Sequence, residues 1–227
     1  MIVTEVVKDI YHVYFKSMRP LAQTFLRFQE SYESQEFRGK IFSRKEFIDW
    51  YKKNCLDDEN TTGEFDYYDM WGGFNIPSRI LKPFYQGKFN PLSVKETQLL
   101  DALKSAKNKR FYVIGTYGNN NTDPFKNDLM MHEIAHGLYY TKKRYKEIAD
   151  EITDSVPPQQ KKIIFDFFIN VLKYHPNVLK DELHAYLMNS TDLKEIMDKK
   201  GIKVNSFNEI SSNLKELFKK YYEKYRV

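Results

Sequence analysis

The segment from Asn127 to Tyr140 contains the pattern His-Glu-x-x-His, in which His132 and His136 stand four positions apart. Residues at this spacing lie on one face of an α-helix, so both imidazole rings can offer a nitrogen to a single metal ion. Glu133 lies about 100° further round the helix, where its carboxylate can reach a metal-bound water without becoming a ligand. The pattern therefore predicts a zinc site with a general base beside it.

The residues around this motif favour a metal over two ordinary helix histidines. Apolar residues recur at helical spacing, which predicts a helix buried on most sides. Two histidines and a glutamate are costly in such surroundings unless something compensates them, and a bound cation would do so. The apolar positions are Leu129, Met130, Ile134, Ala135 and Leu138.

A third ligand must come from elsewhere, because catalytic zinc usually has three protein ligands and a water. Lys142 stands where the metzincin extension would place a further histidine. The candidates are Glu182, His184 and His175. Glu182 and His184 differ by about 200° on one predicted helix, so they would not both face the ion. His175, just before Pro176, could instead donate a hydrogen bond to a metal ligand or be a surface histidine.

The segment from Lys180 to Leu187 resembles the gluzincins, the thermolysin-like zinc peptidases in which a glutamate from a later helix completes the site. That glutamate follows an Asn, Asp or Glu, and a small residue often stands three positions on. Asp181, Glu182 and Ala185 match this layout. The resemblance covers roughly residues 110 to 190 and implies that Glu182 is the third ligand of a Zn²⁺-dependent metallopeptidase acting on a protein or peptide substrate.

Two further features bear on this resemblance. The strand Val113–Gly115 is similar to the edge strand that holds extended substrate in that family. Tyr186, in contrast, stands where thermolysin relatives often place an aspartate that orients a ligand histidine. Orientation of that histidine would then fall to the Tyr186 hydroxyl or to Asp181, or Tyr186 would face the substrate.

The mechanism implied by the resemblance uses Glu133 as the general base. Zinc would be held by His132, His136 and Glu182, and a further donor would stabilise the oxyanion. The sequence does not choose that donor, although Tyr186 and His184 are the residues we place beside Glu133 in the catalytic set. The full set of candidate donors is Tyr186, His184, His175 and Tyr139.

Three alternatives to a general peptidase stay open. The first is a substrate-restricted regulatory protease resembling the ImmA/IrrE-like group, which also pairs this motif with a later glutamate. The second is a catalytically weak, zinc-binding interaction protein. The third is a nucleic-acid contact through the basic and aromatic segment Lys219–Arg226, which a solvated helix face explains better.

Composition indicates a folded protein, and the order of predicted elements indicates class α+β. The 227 residues are 41% hydrophobic, 16% aromatic and 30% charged, with a net charge of +5. Cys55 is the only cysteine, which excludes an intrachain disulfide. No secretory signal is recognisable, and no apolar run approaches the roughly 20 residues that span a bilayer. These features predict a cytoplasmic protein without a membrane segment.

The predicted elements show in which part of the chain each motif lies. We expect a mixed α/β region over residues 1–92, packed on a mostly helical, zincin-like domain over residues 93–227. An aromatic loop over residues 65–77 forms either a second small core or one wall of a substrate cleft. The main expected elements are a hairpin over 2–15 turning near Lys8-Asp9, capping boxes at Ser43–Glu46 and Ser93–Glu96, a strand at Arg110–Tyr117, a metal-binding helix beginning at Asp123-Pro124, and helices over 144–155, 159–174, 177–188, 191–200 and 206–225.

Overall fold

The structure, a computed structural model, describes residues 1–54, 63–119, 121–188 and 190–227, without the side chains of 190–192. Cys55 lies outside these residues. The chain is α+β, as predicted: its sheet has four strands in the order β1-β2-β4-β3, and helices make up the second half. Within the described part of the chain, no helix is long and apolar enough to cross a membrane.

Most of the strands and helices lie close to their predicted positions. The strands are β1 (Ile2–Val7), β2 (Ile10–Phe15), β3 (Gly73–Pro77) and β4 (Tyr112–Tyr117). The helices are α1 (Met18–Glu33), α2 (Arg44–Asn54), α3 (Leu81–Tyr85), α4 (Val94–Ala102), α5 (Asp128–Thr141), α6 (Lys143–Asp154), α7 (Pro158–Asn170), α8 (Leu179–Met188), α9 (Ser190–Lys199) and α10 (Asn208–Tyr225).

Contacts divide the chain into two compact units. The first consists of Met1–Thr4 and His12–Asn120, and the second of Glu5–Tyr11 and Asn121–Val227. The division therefore falls later in the chain than the predicted boundary after residue 92. The difference arises because α4 and β4, which we placed in the second domain, both pack against α1.

In the first unit, β4 lies in the interior of the sheet. It pairs antiparallel with β3, with Ile76 opposite Val113 and Phe74 opposite Gly115, and β2 is its other neighbour. A Cβ atom on Gly115 would lie 2.7 Å from the Phe25 ring, so glycine permits the close approach of α1. The expectation of an edge strand at Val113–Gly115 is wrong, because the segment we took for an aromatic loop supplies β3.

The aromatic residues before β3 pack on one another within the first unit. Phe65 lies edge-on to Tyr68 with centroids 4.9 Å apart, and Phe47 lies edge-on to Tyr67 at 5.3 Å. Tyr67 and Tyr68 are buried, whereas Trp71 is exposed. These contacts are those of a small aromatic core, the simpler of the two interpretations of residues 65–77.

A buried ion pair joins α1 to α4 in the first unit. The Arg27 guanidinium donates from Nε and Nη2 to the two carboxylate oxygens of Glu96, each at 2.7 Å. Glu96 also forms the predicted capping box with Ser93. Burial alone would raise the pKa of Glu96, but its bonds to Arg27 and Ser93 lower it. Glu96 is therefore held as a carboxylate in the interior.

In the second unit, α8 is the central helix. It packs against α5, α6, α7, α9 and α10. The helix α5 begins at Asp128 and not at the predicted Asp123-Pro124. Asn127 is its N-cap and accepts a hydrogen bond from the backbone N–H of Met130 at 3.3 Å. Asp123 instead accepts from the N–H of Phe125 in a preceding turn.

The C-terminal half of α5 is fixed by the turn between β1 and β2. A Cβ atom on Gly137 would lie 2.7 Å from Cδ1 of Ile10, which is fully buried. Lys142 ends α5, and its ammonium donates to the Lys8 carbonyl at 2.8 Å and to the Asp9 carboxylate at 3.0 Å. The residue that stands in place of a metzincin histidine thus anchors the hairpin turn.

We predict that Gly137→Ala destabilises the protein. Helix propensity alone would favour alanine by about 1 kcal/mol, but overpacking against Ile10 should outweigh this and give a net loss of about 1–2 kcal/mol. Urea unfolding measures the change. Ile10→Val removes the closest carbon, so the double variant should lose less than the sum of the single losses; strictly additive losses would contradict the close contact.

Candidate metal centre

The two motif histidines of α5 turn the same ring nitrogen towards each other. The Nε2 atoms of His132 and His136 are 3.1 Å apart. Two lone pairs at this distance repel unless a proton or a cation lies between them. Zinc binds imidazole nitrogen at about 2.0–2.1 Å, which places two nitrogens of a tetrahedral site about 3.3 Å apart. The spacing therefore suits a shared metal ion.

Glu182 on α8 brings a carboxylate to these nitrogens. Its Oε2 atom is 3.8 Å from Nε2 of His136, and the ligand atoms of His132, His136 and Glu182 all lie within 4.8 Å of one another. Within the described residues, this is the cluster of His, Cys, Asp and Glu side chains that could hold a metal ion. Of the three candidate third ligands, the structure brings Glu182 to the histidines.

A bound cation would offset the cost of burying the Glu182 carboxylate. The side chain is 2% exposed, and its Oε2 atom has no hydrogen-bond partner among the described residues. Burial raises the pKa of Glu182, and the neighbouring carboxylates of Asp181 and Glu133 raise it further, against the opposing charge of His136. A buried carboxylate with an unpaired oxygen is costly. Two imidazoles and this oxygen fit the His₂Glu donor set of catalytic zinc sites.

Asp181 orients His136 from behind. Nδ1–H of His136 donates to Oδ1 of Asp181 at 2.8 Å, which leaves Nε2 to face the cluster. Burial alone would lower the pKa of His136, but the carboxylates of Asp181 and Glu182 raise it to about 10. Burial alone would raise the pKa of Asp181, but the charge of His136 lowers it to about 2. A carboxylate behind a ligand histidine fixes its tautomer and increases its basicity.

The backbone of α8 orients His132, as Asp181 orients His136. The ring of His132 hydrogen-bonds the backbone carbonyl of Ala185, and the Tyr186 ring stands edge-on to it with centroids 5.0 Å apart. Burial and the positive charges of His136 and His184 hold the pKa of His132 well below its usual range. His132 is therefore neutral at pH 7, the form that binds metals.

Glu133 lies beside the cluster without belonging to it. The side chain is 5% exposed, on the buried stretch of α5. Its negative charge contributes to the raised pKa values of both His136 and Glu182. A carboxylate near the ligand atoms but outside the ligand set matches the position that the sequence pattern predicts for a general base.

His184 is fully buried and has other partners. Its Nδ1–H donates to the backbone carbonyl of Asp181 at 2.7 Å, and its Nε2 lies 3.4 Å from the Tyr145 hydroxyl. Its ring stacks on Tyr139, whose hydroxyl donates to Asp150 at 2.6 Å. His184 and Tyr139, two of the candidate oxyanion donors, thus pack against Asp181 and against His184, respectively, and neither belongs to the group of converging ligand atoms.

The remaining histidines do not join the cluster. Nδ1 of His175 accepts from the backbone N–H of Asn177 at 3.1 Å and caps the 3₁₀ turn that precedes α8. His12 is buried in the first unit, where its Nε2 lies 2.7 Å from the Thr116 hydroxyl. The residue that sequence reasoning missed is Tyr174, which hydrogen-bonds Glu182 and which no motif or spacing marks.

Comparison with known proteins gives no relative. No protein-family model, curated protein or solved structure matches this chain. The function of this chain must therefore be inferred from the geometry and chemistry of the second unit.

We predict that Asp181→Asn weakens zinc binding by about 10- to 100-fold, the usual effect of losing a partner behind a ligand histidine. Asparagine keeps a hydrogen-bond acceptor but removes the charge that raises the basicity of His136. Competition with a chromophoric chelator measures the dissociation constant. Asp166→Asn, at an exposed residue of α7 paired with Lys162, should leave zinc affinity unchanged. Equal affinities for the two variants would show that Asp181 does not support the site.

Proposed function

We propose that this protein is a zinc-dependent hydrolase of peptide bonds. The observation that carries the proposal is the convergence of the His132, His136 and Glu182 ligand atoms, with Asp181 behind one histidine and Glu133 beside the group. A purely structural zinc site is normally closed by four protein ligands, often cysteines. Three ligands leave a coordination position for water or substrate, which favours catalysis.

Zinc is the ion that the donor set favours. Imidazole nitrogens suit zinc and other transition metals, whereas magnesium and calcium prefer sites made of oxygen ligands. The two histidine nitrogens face the cluster at 3.1 Å, and a single carboxylate completes it. His₂Glu is also the ligand set of thermolysin and carboxypeptidase A.

The bound zinc would supply Lewis acidity and lower the pKa of a water molecule towards about 7. The protein's own contribution is the movement of a proton and the orientation of the ligands. Glu133 accepts the proton of the attacking water and returns it to the nitrogen of the leaving amine. Asp181 holds His136 in one tautomer throughout, and the Ala185 carbonyl does the same for His132.

The arrangement supports the resemblance to the gluzincins as a proposal. A glutamate from a helix after the motif reaches the two histidines, as in that family, and the aspartate just before it orients His136. Tyr186, which replaces the family's usual orienting aspartate, instead lies against the ring of His132. A peptide or protein substrate and a cytoplasmic location are further parts of this proposal, taken from the sequence.

We predict that Glu133→Gln retains zinc at one ion per chain but lowers kcat/KM for peptide hydrolysis by about 10²- to 10⁴-fold, the usual contribution of a general base. Glutamine has nearly the same shape and leaves the three ligands in place. Zinc content is measured by atomic emission, and hydrolysis with a library of fluorescence-quenched peptides at pH 7.

The matched control is Glu151→Gln, at an exposed residue of α6, which should keep both zinc and activity. If Glu133→Gln hydrolyses peptides as fast as the unaltered protein, Glu133 is not the general base. If the unaltered, zinc-loaded protein cleaves no member of the library, the proposed general peptidase activity is wrong.

A further inference from the structure

Two tyrosines, Tyr174 and Tyr186, each contact a different residue of the metal cluster. Tyr174 hydrogen-bonds the carboxylate of Glu182. The ring of Tyr186 stands edge-on to the ring of His132, with centroids 5.0 Å apart. We call these two residues the tyrosine pair. One member thus contacts the ligand from α8, and the other contacts a ligand from α5.

The members of the tyrosine pair also meet each other. Their hydroxyl oxygens are 3.5 Å apart, a long contact that a small shift of either ring would shorten. A hydroxyl has one proton, and that of Tyr174 goes to the Glu182 carboxylate, so in its contact with Tyr186 the Tyr174 oxygen can act only as the acceptor. The polar contacts therefore run in one direction, from Tyr186 to Tyr174 to Glu182.

A single buried ring supports both tyrosines. Phe168 of α7 is fully buried, and its ring lies 5.1 Å from that of Tyr186 and 6.0 Å from that of Tyr174. Aromatic rings at these separations attract each other and restrict each other's rotation. The tyrosine pair is therefore held on a fixed apolar support and not on a mobile surface.

The backbone before Tyr174 is shaped to bring that ring to the cluster. The predicted helix over 159–174 ends earlier, since α7 stops at Asn170. Lys173 adopts the left-handed conformation with φ 62°, which is uncommon for a residue other than glycine. The N–H of Tyr174 then donates back to the Phe168 carbonyl at 2.9 Å. This turn directs the chain towards α8.

We propose that the tyrosine pair positions the metal ligands, with Tyr174 holding the Glu182 carboxylate and Tyr186 acting on it through Tyr174. This inference rests on the proposed metal site. A hydrogen bond to one oxygen of Glu182 leaves the other, Oε2, directed to the ion, as donors behind carboxylate ligands generally do. Tyr174 and Tyr186 are positioning residues in this account.

The test compares zinc affinity among Tyr174→Phe, Tyr186→Phe and the double variant. Tyr174→Phe should raise the zinc dissociation constant by about 10-fold, the lower end of the range for outer partners. Tyr186→Phe keeps the ring against His132 and should have a smaller effect. The double variant should come close to Tyr174→Phe alone, since the Tyr186 hydroxyl reaches Glu182 through Tyr174.

A second measurement separates positioning from general stability. In cobalt-substituted protein, the visible absorption bands report ligand geometry, and Tyr174→Phe should shift them while the far-UV circular dichroism spectrum, which reports the helical fold, stays unchanged. Tyr222→Phe is the matched control, because this tyrosine of α10 packs against Phe125 and Phe218, none of which is a ligand. It should alter neither the bands nor the affinity.

Unchanged zinc affinity and unchanged cobalt bands in Tyr174→Phe would overturn the proposal. If the double variant instead binds zinc more weakly than Tyr174→Phe by the full effect of Tyr186→Phe, then Tyr186 does not act on Glu182 through Tyr174. These outcomes are independent of catalysis. If the unaltered protein binds zinc but cleaves no peptide, the proposed hydrolase activity is wrong. The proposed role of the tyrosine pair is then still tested by the zinc affinities of the variants.

Discussion

The constraint on which the second unit depends is the burial of several ionisable side chains between α5 and α8. His136 is 1% exposed and Glu182 is 2% exposed, and both lie among apolar helices. Removing such groups from water is expensive unless opposite charges and hydrogen bonds surround them. The bond from His136 to Asp181 satisfies part of this requirement. Oε2 of Glu182 has no hydrogen-bond partner among the described residues, and a cation in the cluster would satisfy it.

One helix, α8, provides nearly all of the compensation. Consecutive residues Asp181 and Glu182 serve as orienting group and candidate ligand, and the Ala185 carbonyl and the Tyr186 ring both contact His132. The same helix is the central one of its unit and packs against α5, α6, α7, α9 and α10. On the other side, the close contact between Gly137 and the hairpin fixes the end of α5 just beyond the second histidine. The contacts that pack α5 and α8 into the unit therefore also hold the residues of the site in place.

How much the sequence predicts depends on whether a feature is local. The spacing of His132 and His136, the capping boxes and most helices follow from short-range rules, and the structure contains them. The start of α5 was misplaced because Asp123 and Asn127 are both good capping residues and only the fold selects between them. The strand β3 was missed because its partner β4 is distant in the chain. The ion pair of Arg27 with Glu96 was missed for the same reason. Pairing across long separations leaves no periodic signal.

The central claim is that His132, His136 and Glu182 jointly hold one zinc ion. Diffraction data collected from zinc-grown crystals on both sides of the zinc absorption edge test it most directly. The account predicts one strong anomalous peak about 2.0–2.2 Å from Nε2 of each histidine and from a carboxylate oxygen of Glu182. An anomalous map without a peak at this cluster, or a zinc ion bound by His184 or His175 in place of Glu182, would contradict it.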